Sequence, residues 1–109
     1  MRNIFAFFVF GLAGEPSFAD ILSGVQIIKV YAQSRLDSDA HLIQVDQTLI
    51  STCNANRLYI DINDKELFSS ALANYIAGKP VDIIFFTNGA PKTAAGHIGG
   101  ITCRVVSIF

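Results

Sequence analysis

No G-x-S-x-G, H-E-x-x-H or P-loop pattern occurs in this sequence. The common spacings that place a nucleophile, a zinc-bound water or a phosphate cradle are therefore missing, and no enzymatic activity is expected. Charge is scarce as well: 16% of residues are Asp, Glu, Lys or Arg, and the net charge is −1. The basic residues Lys29, Arg35, Arg57, Lys65, Lys79, Lys92 and Arg104 are scattered. No basic stripe exists to track a phosphate backbone, so no nucleic acid partner is expected. There is no C-x-x-C pair and too small a set of ligand side chains for zinc, so no metal or cofactor is expected. Internal repeats, low-complexity tracts and interdomain linkers are also missing. What is present is a chain of 109 residues, 51% of them hydrophobic. That composition excludes a disordered or collagen-like chain, and that length fits one domain.

The N-terminus carries the strongest local pattern. Arg2 supplies a positive start and residues 4–13 form an apolar run. Ser17-Phe18-Ala19 then places small residues at the two positions a signal peptidase reads. Residues 1–19 are therefore expected to be a signal peptide, cut between Ala19 and Asp20, with Pro16 breaking any helix before the cut. The run is shorter than the roughly 20 apolar residues needed to span a bilayer. A buried strand or an uncleaved anchor is the competing reading. Residues 20–109 form the expected domain, exported to the periplasm or beyond, with no membrane span after processing. A core this small gains from a covalent tie, and in an oxidising compartment Cys53 and Cys103 are expected to form a disulfide. Closing a loop of about 50 residues contributes roughly 4 kcal/mol in a chain-entropy model.

Periodicity orders the rest. Ile21 to Ala32 reads as one β-branched strand. Residues 33–40 read as a polar loop, and His41 to Asp46 as a second strand that Thr48 to Thr52 extend or fold back upon. In Arg57 to Ile62, Leu58, Ile60 and Ile62 alternate with Arg57, Tyr59 and Asp61, as in a half-buried strand. Asn63 and Glu66 form a capping-box pattern. Leu67, Phe68, Ala71, Leu72, Tyr75 and Ile76 then recur at helical spacing until Gly78 and Pro80 end the pattern, which predicts a helix over Asp64–Ala77 with one apolar face. Val81–Thr87 reads as a central strand, Asn88–Gly100 as a long Gly-rich loop and Ile101–Phe109 as a closing strand. The order β-β-β-α-β-β makes the chain mainly β with one helix. It matches a five-stranded, partly open OB-fold-like barrel, with an α+β sandwich of the same order as the competitor.

Candidate functional residues are few. His41 at a strand start and His97 in the long loop read as surface histidines without a nucleophile beside them. Asp61, Asp64 and Glu66 cluster at the helix start, where the helix dipole accounts for them. The loop residues Ser34, Arg35, Asp37, Ser38 and Asp39 combine hydroxyls, carboxylates and a guanidinium, the mixture that sugar hydroxyls require because each both donates and accepts. Arg35 can also pair with an acidic sugar. Tyr31 and Tyr59 offer rings for stacking on a sugar face, although a tyrosine on a strand usually packs. Asn88 and Lys92 are weaker candidates.

The stretch Lys65-Glu66-Leu67-Phe68, Tyr75-Ile76-Ala77-Gly78-Lys79-Pro80-Val81-Asp82-Ile83 resembles the B subunits of bacterial AB5 toxins of the subtilase-cytotoxin and typhoid-toxin delivery type. It is also similar to related small exported bacterial proteins of that layout. The leader, the length, the cysteine pair and the element order agree with it. This resemblance implies an OB barrel, a homo-oligomeric ring of five, and a cell-surface glycan bound near the first strands and their loop, with 34–39 as the nearest counterpart. It also implies a catalytic toxin subunit as a partner. A small periplasmic structural or interaction domain, bound to an envelope protein, is the alternative.

Overall fold

The computed structural model describes residues 19–50, 52–94 and 98–109. The expected signal segment, apart from Ala19, and His97 lie outside the described residues. The described residues form eight strands and one α-helix, so the chain is mainly β with one helix. In chain order these are β1 (Ala19–Val25), β2 (Ile27–Tyr31), β3 (Ala40–Val45), β4 (Leu58–Asp61), α1 (Lys65–Ala77), β5 (Val81–Phe86), β6 (Lys92–Ala94), β7 (Ile98–Ile101) and β8 (Arg104–Ile108). A 3-10 turn, Asn54–Asn56, precedes β4. Six strands make one mixed sheet in the order β1-β5-β8-β4-β3-β2, and β6 and β7 pair separately as a hairpin. Only β4 and β8 run parallel; the other neighbours are antiparallel.

The single first strand expected over Ile21–Ala32 is divided at Gln26, and its halves are the two edges of the sheet. Gly24, at φ 63°, adopts a left-handed conformation that costs glycine little, and the register with β5 shifts between Leu22 and Val25. Two carboxylates hold the break. Asp82 Oδ1 accepts from the Gly24 N–H at 2.8 Å, and Asp46 Oδ1 accepts from the Gln26 N–H at 3.0 Å. The chain thus leaves β5 and joins β3 within a few residues.

The later expectations also change in detail. The loop expected over Asn88–Gly100 contains the β6–β7 hairpin. The expected closing strand is interrupted at Thr102 and Cys103: Ile101 ends β7 and Arg104 begins β8. Thr48–Thr52 contributes no strand in its described residues. The helix is one residue shorter than expected, and the capping box does not form. Its N-cap is Asp64, without a side-chain cap bond, while the Asn63 N–H goes to Asp61 Oδ1 at 3.0 Å. The Gly78 stop is as expected, in the left-handed conformation at φ 64°.

The core lies on the inner face of the sheet. Ile43, Leu58, Ile60, Ile83, Phe85 and Val105 pack there with Leu22, Val25, Ile27 and Val45. Each such side chain stabilises the fold by roughly 1.5–3 kcal/mol when fully buried. The helix closes this core with its first half only. Ala71 is buried and Leu67 and Phe68 are partly so, but Leu72, Tyr75 and Ile76 are exposed, Ile76 at 75%. The one apolar helix face expected from the periodicity is thus only partly buried: α1 packs on β2 and β8, and the apolar side chains of its C-terminal half stay exposed. No helix among the described residues is long and apolar enough to cross a membrane. Cys53 and Cys103 are joined as a disulfide, fully buried, with Cα atoms 5.6 Å apart. It ties the turn before β4 to the start of β8.

Candidate functional site

The outer face of the sheet carries the polar and aromatic side chains. Strand register builds one row across all six strands, Tyr31–Leu42–Tyr59–Arg104–Phe86–Ala19. Directly opposed residues project on the same side of a sheet, so this row is continuous. The hairpin β6–β7 covers its centre. Leu42 and Tyr59 are buried beneath it with Ala40, Ala94 and Ile101, and Tyr31 and Ile98 border the cluster. Asn54 anchors the hairpin by donating from Nδ2 to the carbonyls of Gly99 and Gly100, at 2.9 and 3.3 Å. The ends of the row stay open.

At one end stands Tyr31. Its hydroxyl accepts from Arg57 Nε at 3.1 Å and from Arg57 Nη2 at 2.8 Å. The Arg57 guanidinium carbon lies 5.2 Å from the ring centroid, and Lys29 Nζ lies 4.9 Å from it. Burial pushes the phenol up, but hydrogen bonds and charge from Arg57 and Lys29 outweigh that, so Tyr31 titrates below its ordinary value. The loop 34–39 follows it in the chain. The Ser34 carbonyl accepts from the N–H groups of Asp37 and Ser38 at 3.0 and 2.9 Å, and Ser34 Oγ accepts from the Leu36 N–H at 3.1 Å. Ser34, Arg35, Asp37 and Asp39 are exposed. Ser38 is buried, and its hydroxyl donates to Gln33 Oε1 at 3.3 Å.

The candidates thus separate. Tyr31 borders the outer-face cluster, and Ser34, Arg35, Asp37 and Asp39 are exposed in the loop that follows it in the chain, whereas Ser38 and Tyr59 are buried. Tyr59 is 1% exposed and offers no ring face to a bound molecule. Burial raises its phenol, the nearby Arg104 charge lowers it and Asp61 raises it, leaving it above its ordinary value.

Past Tyr59 along β4 and next to Arg104 of β8, Asp61, Asn63, Asp64 and Arg104 line a shallow open cleft of about 440 Å³. Arg104 sits 5.4 Å from the Phe86 ring centroid. Two of the three acids read from sequence as helix-start residues, Asp61 and Asp64, therefore share their surface with a guanidinium brought in by β8. Among the described residues no group of three or more His, Cys, Asp or Glu side chains is arranged to hold a metal ion.

His41 is not the surface histidine expected from sequence. It stacks on Phe68 with ring centroids 3.7 Å apart and planes at 16°, and its Nδ1 accepts the Gln33 N–H at 2.8 Å. Desolvation lowers its pKa, so the imidazole is held neutral as a packing group. Asn88 is exposed and Lys92 is part-buried in β6. Sequence reading did not select Lys29, Arg57 or Arg104 as site residues. The Lys29-x-Tyr31 and Arg57-x-Tyr59-x-Asp61 alternations were the available signal, since residues two apart on a strand share a face. No family model matches the chain, and neither a curated protein nor a solved structure matches it.

Proposed function

We propose that this chain is an exported, non-enzymatic binding domain of the AB5 toxin B-subunit type, built as an OB-like barrel and binding a glycan at the Tyr31 end of the outer face. The barrel reading is supported by the sheet order. Residues 19–31 serve both edges, so the strands follow first–second–third–fifth–fourth–first, with only the third and fifth parallel. The observation that carries the glycan reading is the company of Tyr31. A part-buried ring and two cations lie together, and the loop that follows Tyr31 in the chain exposes hydroxyl and carboxylate groups, the combination that meets both the C–H and the O–H groups of a sugar. Ser34, Arg35, Asp37 and Asp39 supply the polar contacts, and a catalytic toxin subunit is the partner that this reading brings. A glycan array probed with the chain tests it. Selective binding lost in Tyr31→Ala supports the reading, and binding to no glycan overturns it.

A second reading, a periplasmic structural or protein-interaction domain, is favoured by one observation. Leu72, Tyr75 and Ile76 are exposed together on α1, at the i, i+3, i+4 spacing of one helix face. Light scattering separates the two. A stable mass of five copies supports the ring-forming B-subunit reading, and a monomer that captures one envelope protein supports the second.

A further inference from the structure

Arg57 is engaged on most of its edges. Nε and Nη2 donate to the Tyr31 hydroxyl, and Nη1 donates to the carbonyls of Ala55 and Asn56 at 2.7 and 3.4 Å. A guanidinium has five N–H bonds in a fixed fork, so one N–H, on Nη2, is left for another acceptor. None of these bonds goes to a carboxylate. The Tyr31 oxygen has two lone pairs, and two Arg57 donors face it, which directs the hydroxyl proton away from the guanidinium. Lys29, two residues earlier on β2 and exposed, brings its ammonium to the same ring. The ensemble is an ammonium, an outward hydroxyl and one guanidinium N–H, each on a different side chain.

We propose that Lys29, Tyr31 and Arg57 form a subsite for a tetrahedral oxyanion, a sulfate or phosphate monoester carried by a glycan. The inference rests on the reading of this face as a glycan surface. A carboxylate is best held by two parallel bonds from the edge of a guanidinium. Here the Nε–Nη2 edge is occupied by the Tyr31 hydroxyl and Nη1 by backbone carbonyls, so that two-point grip is closed. Three separate point donors match instead the three terminal oxygens of a sulfate or phosphate ester. The same two cations, through hydrogen bonds and charge, bring the phenol below its ordinary value against the opposing push of burial. Because Lys29 is exposed, the interaction weakens with salt.

The test is an NMR titration of the full chain with its disulfide formed. The probes are N-acetylglucosamine, its 6-sulfate, its 6-phosphate, glucuronic acid, and inorganic sulfate and phosphate. One of the two esters is expected to bind about tenfold tighter than the neutral and carboxylate sugars, the scale of a charge-assisted hydrogen bond, with the largest shifts at Lys29, Tyr31 and Arg57. The ester preferred names the source of the oxyanion. Lys29→Gln, a change at an exposed side chain, and Tyr31→Phe, which keeps the ring, should each remove most of that preference. Equal binding of neutral, carboxylate and ester sugars overturns the subsite, as does a preference that survives both substitutions. If no sugar binds but inorganic sulfate or phosphate still shifts these three residues, the oxyanion subsite stands and the glycan reading falls. Silence from sugars and inorganic ions alike overturns both.

Discussion

Gly89 sits so close to Tyr59 that a Cβ added to it would lie 2.6 Å from the phenol oxygen, 2.8 Å from the Thr102 carbonyl oxygen and 3.0 Å from the Arg104 Cβ. Its N–H donates to that same Thr102 carbonyl at 2.8 Å. The glycine lets the chain after β5 lie flat on the outer-face row.

Gly89→Ala therefore forces the buried Tyr59 hydroxyl or the Thr102 backbone to move. The expected loss is about 1–3 kcal/mol, the range for overpacking, read as a lower urea midpoint at an unchanged slope. Tyr59→Phe combined with Gly89→Ala should recover part of it, because the closest clash is with the hydroxyl. A neutral Gly89→Ala would contradict this packing.

His41 gives the fold a pH dependence. Its pKa is lowered by desolvation from the ordinary 6.5, so the unfolded chain binds the proton more readily than the folded one. The stability from neutral His41 is fully present above 6.5 and is lost as pH falls below it towards the folded value. Urea midpoints of the native chain should fall between about pH 7.5 and pH 5.5, and His41→Asn should flatten that slope. Equal slopes in the two proteins would remove His41 as the cause.

Removing the disulfide should be costly. Cys53 and Cys103 are 50 residues apart and buried, and closing a loop of that length stabilises by about 4 kcal/mol in the chain-entropy model. The double substitution Cys53→Ser with Cys103→Ser is expected to lower Tm sharply, or to leave the chain unfolded at ambient temperature, as read by circular dichroism. A Tm within a few degrees of the native value would contradict it.

The two phenols of the outer row should titrate apart. Tyr31 lies below its ordinary value and Tyr59 above it. An alkaline ultraviolet titration should show an early step that disappears in Tyr31→Phe and moves upward in Lys29→Gln, because a neighbouring cation favours the phenolate. A step unaffected by Lys29→Gln would exclude that cation as a contributor.

Local pattern made a good part of this protein legible. The helix between Asp64 and Gly78, the alternation of Leu58 and Ile60 against Arg57, Tyr59 and Asp61, and the pairing of Cys53 with Cys103 all follow from residue type and spacing within a few residues or from a count of two. The loop 34–39 is legible by its mixture of hydroxyls, carboxylates and a guanidinium, and Tyr31 and Tyr59 by their rings. The β6–β7 hairpin escaped because strands of three and four residues beside glycines carry too little periodicity to detect. The capping box failed because Asp61 competes for the Asn63 N–H.

What the sequence by itself determined is the alternation of side chains along each strand, the helix with its left-handed glycine stop, and the cysteine pair, since each depends on the chain's own local geometry. Only the tertiary structure decided which residues meet. It brings Arg57 to a tyrosine 26 residues earlier, carries Arg104 to the cleft of Asp61 and Asp64, buries Tyr59 under the hairpin and leaves Leu72, Tyr75 and Ile76 in the open. The physical reason is register. Shifting one strand by one residue reverses its inner and outer faces, and that choice is made by long-range pairing and by the break at Gln26.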